Sequence, residues 1–214
     1  VAKMLAESDK KDLGCHTGTI SDAFLELYQA GKLTNAHKEL DTGLSAWNLA
    51  MGSQELYDWL DAEPQLFHPG DLDYIHSVER ISKFSNVISI NGGVQLDLMG
   101  QENAESTGTR QLSGVGGQMD FLEGAYRSKG GKGFICINSS RVTKDGERKS
   151  NILATIPGGS TISAPRTMIQ YVATEYGIAS LSGKTLRERA EAMASIAHPD
   201  FREELMKYAQ ENFK

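Results

Sequence analysis

Three stretches carry residue types able to do chemistry. The densest is SGVGGQMDFLEGAYRSKGGKG, residues 113–133. Small residues let a backbone approach a ligand closely, and exposed N–H groups in such a run can cradle an oxyanion or phosphate. Gly114, Val115, Gly116, Gly117 and Gln118 would form that cradle, and Arg127, Lys129 and Lys132 follow closely enough to meet phosphate charge. A turn with solvated cations fits the spacing equally well, because the run is neither a Walker loop nor a clean dinucleotide fingerprint. The second stretch, DLMGQENAEST (97–107), puts Gly100, Glu102, Asn103 and Glu105 just beyond an apolar run. Strand ends feeding such loops are where α/β proteins commonly build sites. For either glutamate alone, a solvated loop residue is the plainer reading. In the third, ATEYGIASL (173–181), Glu175 lies between Tyr171-Val172 and Ile178-Leu181. A carboxylate among apolar neighbours is expected to be buried and to need a partner or a function.

Other reactive types are dispersed. His16, His37, His68, His76 and His198 show no metal-ligand spacing, so no metal is expected. Cys15 and His16 are adjacent, but sequence neighbours rarely face each other productively, and packing is the better reading for both. No nucleophile-elbow motif supports a Ser-His-Asp site.

The elements that must position these residues change character along the chain. Residues 1–62 read as helical: Ala23, Phe24, Leu27 and Tyr28 share a face closed by Gly31, and a second helix follows Ser53 with Leu56, Trp59 and Leu60. From Asn86, short β-rich runs such as NVISINGGVQLDLMG, GKGFICINSS and QYVATEYGIASL alternate with Gly, Ser and Asn. RVTKDGERKS (141–150) reads as a mobile loop. Helix returns at Thr185, where Thr185 to Glu188 fits a capping box, and again at Pro199. This order predicts an open, layered α/β domain over 1–214, with 1–85 a mostly helical lead-in, 86–181 a strand-rich core and 182–214 the terminal helices.

The 214 residues can bury a substantial core, and 39% hydrophobic with 23% charged residues is ordinary for a globular protein. A formal net charge of -6 argues against a general nucleic-acid or anionic-membrane binder. Cys15 and Cys136 give no disulfide framework and suit a cytoplasmic protein. No apolar run reaches transmembrane length. VAKMLAESDKKDLG reads as the end of a helix already under way, as expected of a chain that starts inside a larger gene product.

Taken together, LGCHTGTISDAFLELYQAGKLTNAHK, GVGGQMDFLEGA and VATEYGIASLSGKTLRERAEAMASIAHPDFREEL, in this order, resemble the C-terminal half of the acetyl-CoA hydrolase/transferase family, particularly its 4-hydroxybutyrate CoA-transferase-like branch. The resemblance implies an open CoA-transferase (NagB/RpiA-like) α/β fold. It implies movement of coenzyme A from an acyl-CoA to a small carboxylic acid, with coenzyme A as substrate. It sets Gly114 to Gln118 against the coenzyme, Asn138 and Ser139 at a coenzyme contact, Gly100 on the oxyanion side, and Glu175 as a second carboxylate that orients substrate. The family's nucleophile is the glutamate of His-Thr-Glu, and the matching residues here are His16, Thr17 and Gly18. Glycine cannot form an anhydride. Three expectations follow: a transferase in which Glu102, beside Gly100, takes over; a derived hydrolase or decarboxylase needing no covalent carboxylate; or a non-catalytic acyl-CoA-binding subunit. The family's other coenzyme loop lies upstream of Val1, so a homo-oligomer or a hetero-oligomer with an N-terminal-half chain is expected.

Overall fold

Two short strand–helix–strand crossovers organise the first part of the computed structural model, which describes residues 1–213. Helix α1 (Ala2–Ala6) precedes β1 (His16–Ile20), α2 (Asp22–Gln29), β2 (Ser45–Ala50), α3 (Gln54–Ala62), β3 (Phe67–Pro69), α4 (Leu72–Ile75) and α5 (Val78–Ile81). β1, β2 and β3 form a parallel sheet in that order, with His16 opposite Ala46 and Ser45 opposite Phe67. Ile20, Leu25, Leu56, Trp59 and Phe67 close over it as one core. Residues 1–87 with 127–130 make this compact unit, and the remaining described residues make a second.

The lead-in is therefore not mostly helical. HTGTI, SAWNLA and FHP are strands whose burial does not alternate, so they lack the period-two signature of a half-solvated strand. Their backbone groups are satisfied by parallel partners distant in sequence, which local pattern does not reveal. The two helices read from the sequence are present. Gly31 at φ +67° ends α2, donating its N–H to Tyr28 O at 2.8 Å. Ser53 caps α3 by accepting from Leu56 N–H.

The second unit contains β4 (Ile88–Gly92), β5 (Gln95–Asp97), β6 (Glu102–Asn103), β7 (Ser106–Thr107), β8 (Arg110–Gln111) and α6 (Gln118–Arg127). They are followed by β9 (Lys132–Cys136), β10 (Ser140–Val142), β11 (Arg148–Ser150), β12 (Ile152–Leu153), β13 (Tyr171–Thr174), β14 (Gly177–Ser180), α7 (Leu186–Ser195) and α8 (Pro199–Asn212). Its main sheet runs β14-β13-β9-β4, with β4, β9 and β13 parallel and β14 antiparallel. A smaller sheet runs β12-β5-β6. Leu96, Leu122, Ile135, Val172, Leu181 and Met193 are fully buried in one core between the sheets and helices. The fold is thus the open, layered α/β arrangement expected from the sequence. The 141–150 stretch is a hairpin instead of a free loop: β10 pairs β11, and Thr143 Oγ1 bonds both the N–H and C=O of Glu147 across the turn. Thr185 and Glu188 make the capping box that opens α7, and His198 caps α8 ahead of Pro199. Among the described residues no helix is long and apolar enough to cross a membrane.

Candidate functional site

The parallel strands of the second unit end together, because Gly92, Cys136 and Ala173 stand side by side in register. Beyond them opens a cleft of about 440 Å³ lined by Gly93, Cys136, Ile137, Asn138, Ala173, Thr174 and Glu175. The carboxyl ends of strands in open α/β sheets are the usual place for ligands, since loops diverge there.

Glu175 is the first residue of the two-residue turn between β13 and β14, with Thr174 paired to Gly177. It is exposed, not buried as its apolar neighbours suggested, because the turn lifts it out of the sheet. Buried Ser139 holds its carboxylate with two donors, N–H to Oε2 at 2.9 Å and Oγ–H to Oε1 at 2.6 Å. What desolvation there is acts to raise the pKa, but these bonds and the nearby His198 leave the carboxyl below its ordinary value.

Glu102 is the opposite case. It is 0% exposed, which corrects its reading as a solvated loop residue. β6 places it inward, bracketed by its N–H to Ala164 O at 3.0 Å and by Ser163 N–H to its own C=O at 2.8 Å. Gln118, the first residue of α6, donates its side-chain amide to Glu102 Oε2. The other oxygen, Oε1, is buried without a hydrogen-bond partner. It lies against Gly93, where an added Cβ would come within 2.8 Å of it. Gly93 therefore touches both the cleft and the buried carboxyl. Burial pushes Glu102 up to about 7; the Gln118 bond opposes this and the Glu105 charge adds to it.

The remaining expected residues divide. Asn138 lines the cleft and Ser139 reaches it through Glu175. Gly114, Val115 and Gly116 form an exposed run entering α6 through Gly117 and Gln118. Gly116 has φ +60° with nothing within 4 Å of a would-be side chain, so its surroundings are open. Gly100, expected on the oxyanion side, donates its N–H to Asp97 O at 3.0 Å. Its φ of +82° and a would-be Cβ 2.7 Å from Arg189 Nη2 explain the glycine by packing. Lys132 begins β9, four strand steps before Cys136, so it lies about 13 Å from the cleft end. Gly18 sits within β1 in the other compact unit. Its neighbour His16 contacts Ile75 O through Nε2 at 2.8 Å, and burial lowers its pKa to about 4. Sequence reasoning missed Gly93 and Cys136. The Gly-Gly pair closing the apolar run ISIN was a usable signal, by the same strand-end rule applied to Gly100.

Residues 52–209 match the model of the Acetyl-CoA hydrolase/transferase C-terminal domain. The chain belongs to this family. It is 45% identical over 210 residues to the butyryl-CoA:acetate CoA-transferase of Anaerostipes caccae, covering 98% of this chain and 47% of that protein. It is 43% identical to the 4-hydroxybutyrate coenzyme A transferase of Clostridium kluyveri, covering 99% and 48%. Among solved structures, RipA from Yersinia pestis superposes with a TM-score of 0.88 at 38% identity, over 98% of this chain and 46% of that one. The chain thus spans about half the length of the relatives it matches.

Proposed function

We propose that this domain belongs to an enzyme that moves coenzyme A between an acyl-CoA and a small carboxylic acid. The observation that carries the reading is the cleft at the ends of β4, β9 and β13, bordered by an ionised, doubly held Glu175 and by the buried Glu102 behind Gly93. Membership of a family whose relatives are named CoA-transferases supports it. In this reading Glu102 stands in for the glutamate absent at Gly18. Its carboxylate attacks the thioester carbonyl; the C–S bond breaks, giving a mixed anhydride and coenzyme A thiolate. The thiolate attacks the glutamyl carbonyl, releasing the first acid and leaving an enzyme thioester. The acceptor carboxylate attacks that thioester, and the freed thiolate takes the new acyl group, regenerating Glu102. Gln118 orients Glu102, and Glu175 orients substrate. Asn138, Ser139 and the amides of Gly114 to Gly117 meet the coenzyme and the developing oxyanion. The protein acts in the cytoplasm, where its two free thiols persist.

The full burial of Glu102 favours a second reading, in which the thioester is hydrolysed or its acid decarboxylated without a covalent carboxylate. Intact-mass measurement on the complete protein incubated with acyl-CoA separates the two. A coenzyme adduct on Glu102 supports transfer, turnover without adduct supports hydrolysis or decarboxylation, and binding without turnover leaves a non-catalytic subunit. Gly18→Glu is the complementary variant: a new adduct at that position would show the rest of the machinery intact.

A further inference from the structure

A run of small residues has few side-chain contacts to hold it, so its place against a ligand is set at its two ends. Gln111 to Gly116 are exposed, and nothing lies within 4 Å of the side chain that Gly114 or Gly116 would carry. The far end of the run is fixed at Gln118, whose amide donates to Glu102. The near end is fixed by Glu105. Its C=O accepts Leu112 N–H at 2.7 Å and Ser113 N–H at 3.3 Å. Its carboxylate grips the same segment: Oε1 accepts from Gln111 Nε2 at 3.2 Å, and that amide also donates to Ser113 O at 2.7 Å.

Glu105 is in turn held from behind. Buried Asn103 accepts the N–H of Glu105 at 3.1 Å and that of Ser106 at 2.9 Å through Oδ1, a side-chain turn that sets the backbone as it leaves β6. Ser163 Oγ donates to Glu105 Oε2 at 3.0 Å and accepts Ala104 N–H at 3.0 Å. The half-buried carboxylate thus has a donor on each oxygen and ties the entry of the run to a segment 58 residues away. Hydrogen bonds to a charged acceptor are the stronger kind, and they fix direction as well as distance. We propose that Glu105 is a positioning residue for the glycine run, fixing where the amides of Gly114 to Gly117 stand when a coenzyme thioester enters. The inference rests on the reading that this run meets the coenzyme. With its entry released, the run must be ordered anew at each binding event, and that entropy is lost from affinity.

Calorimetric titration of the complete protein with coenzyme A provides the test. Glu105→Ala should weaken binding at least about tenfold, with the circular dichroism spectrum unchanged. Glu105→Gln keeps an oxygen for the Gln111 amide and offers an N–H to Ser163 Oγ, so it should hold affinity within about threefold of the parent. Gly116→Val displaces the same run at its centre, where φ is +60°. Adding Glu105→Ala to that variant should weaken binding by less than about threefold more, because both changes act through one loop. A residue that served stability alone would act equally in both backgrounds. Gln111→Ala, at an exposed position, breaks the grip from the other side and should weaken binding at least about threefold, which keeps the test valid if Glu105→Ala misfolds. Unchanged affinity in either folded alanine variant, a loss in Glu105→Gln as large as in Glu105→Ala, or additive effects with Gly116→Val overturns the proposal and leaves the coenzyme reading in place. A parent without measurable affinity, or undiminished affinity in Gly116→Val, overturns the reading that the run meets the coenzyme, and the proposal with it.

Discussion

Replacing Glu102 by glutamine should remove the loss of stability that the second unit suffers between about pH 4.5 and pH 7. Glu102 holds its proton up to about pH 7 in the folded chain, against an ordinary 4.5. Between those values the folded state keeps a proton that the unfolded state has released, so stability falls as pH rises. The contribution is complete below about pH 4.5 and lost above about pH 7. At about 1.4 kcal/mol per pH decade the loss comes to about 3 kcal/mol. The glutamine side chain is neutral throughout. Its carbonyl can accept from Gln118 as Oε2 does, and its amide, like the hydroxyl of the protonated acid, meets Gly93 without an acceptor. Glu102→Gln and the parent should therefore agree within about 1 kcal/mol at pH 5. At pH 8 the variant should be more stable by about 3 kcal/mol. Hydrogen exchange of peptides from residues 88–126, read across urea at pH 5, 6, 7 and 8, isolates this unit. Parallel pH curves for the two proteins, or a variant weaker than the parent at pH 8, would refute the buried-carboxyl argument.

The first unit should drift the other way. Burial lowers His16 to about 4 from 6.5, so its folded form is neutral and stability rises as pH climbs through that window; fluorescence melts reporting Trp47 and Trp59 should show a higher midpoint at pH 6.5 than at pH 4.5. Arg189 donates to the carbonyls of Met99, Leu181 and Arg166 at 2.8, 2.7 and 2.8 Å, so Arg189→Met should cost about 3–5 kcal/mol in urea unfolding. Gly116→Val forces a β-branched residue into φ +60° at an open loop. It should lower coenzyme affinity in calorimetry at least about tenfold while the second unit stays folded, and undiminished affinity would remove the loop from the site.

Where a signal was local, sequence and structure agree. The Thr185-Glu188 box, the His198-Pro199 boundary and the Gly31 stop each depend on atoms within a few residues. The β1-β2-β3 sheet was hidden because its strands are short, polar in part and paired through helical crossovers. Glu102 was misread for a related reason. Its carboxyl meets Gly93, just after β4, and Gln118, at the start of α6, and no spacing around ENAES announces them. Glu175 shows a subtler failure. Its apolar neighbourhood is real, but Ile178 and its row belong to a sheet face that nothing in this unit covers, so the inference from apolar sequence to burial did not hold.

The two carboxyls bordering the cleft are held in opposite states by opposite means. Glu175 is exposed and keeps its charge because Ser139 supplies donors to both oxygens. Glu102 is sealed, has a donor on one oxygen only, and retains its proton to near neutrality. Pairs of titratable groups pushed apart in this way divide acid from base roles without any change of residue type. The division has an electrostatic consequence for any anionic ligand entering beside Gly93. Below about pH 7 such a ligand meets one fixed negative charge, already neutralised in part by hydrogen bonds. Above it a second charge develops behind a single glycine, where low dielectric makes repulsion strong. In the proposed transfer the acceptor carboxylate enters when Glu102 already carries the coenzyme as a thioester and has no charge, whereas the opening attack by Glu102 requires it ionised. Burial therefore raises the pH at which that opening attack becomes possible to about 7.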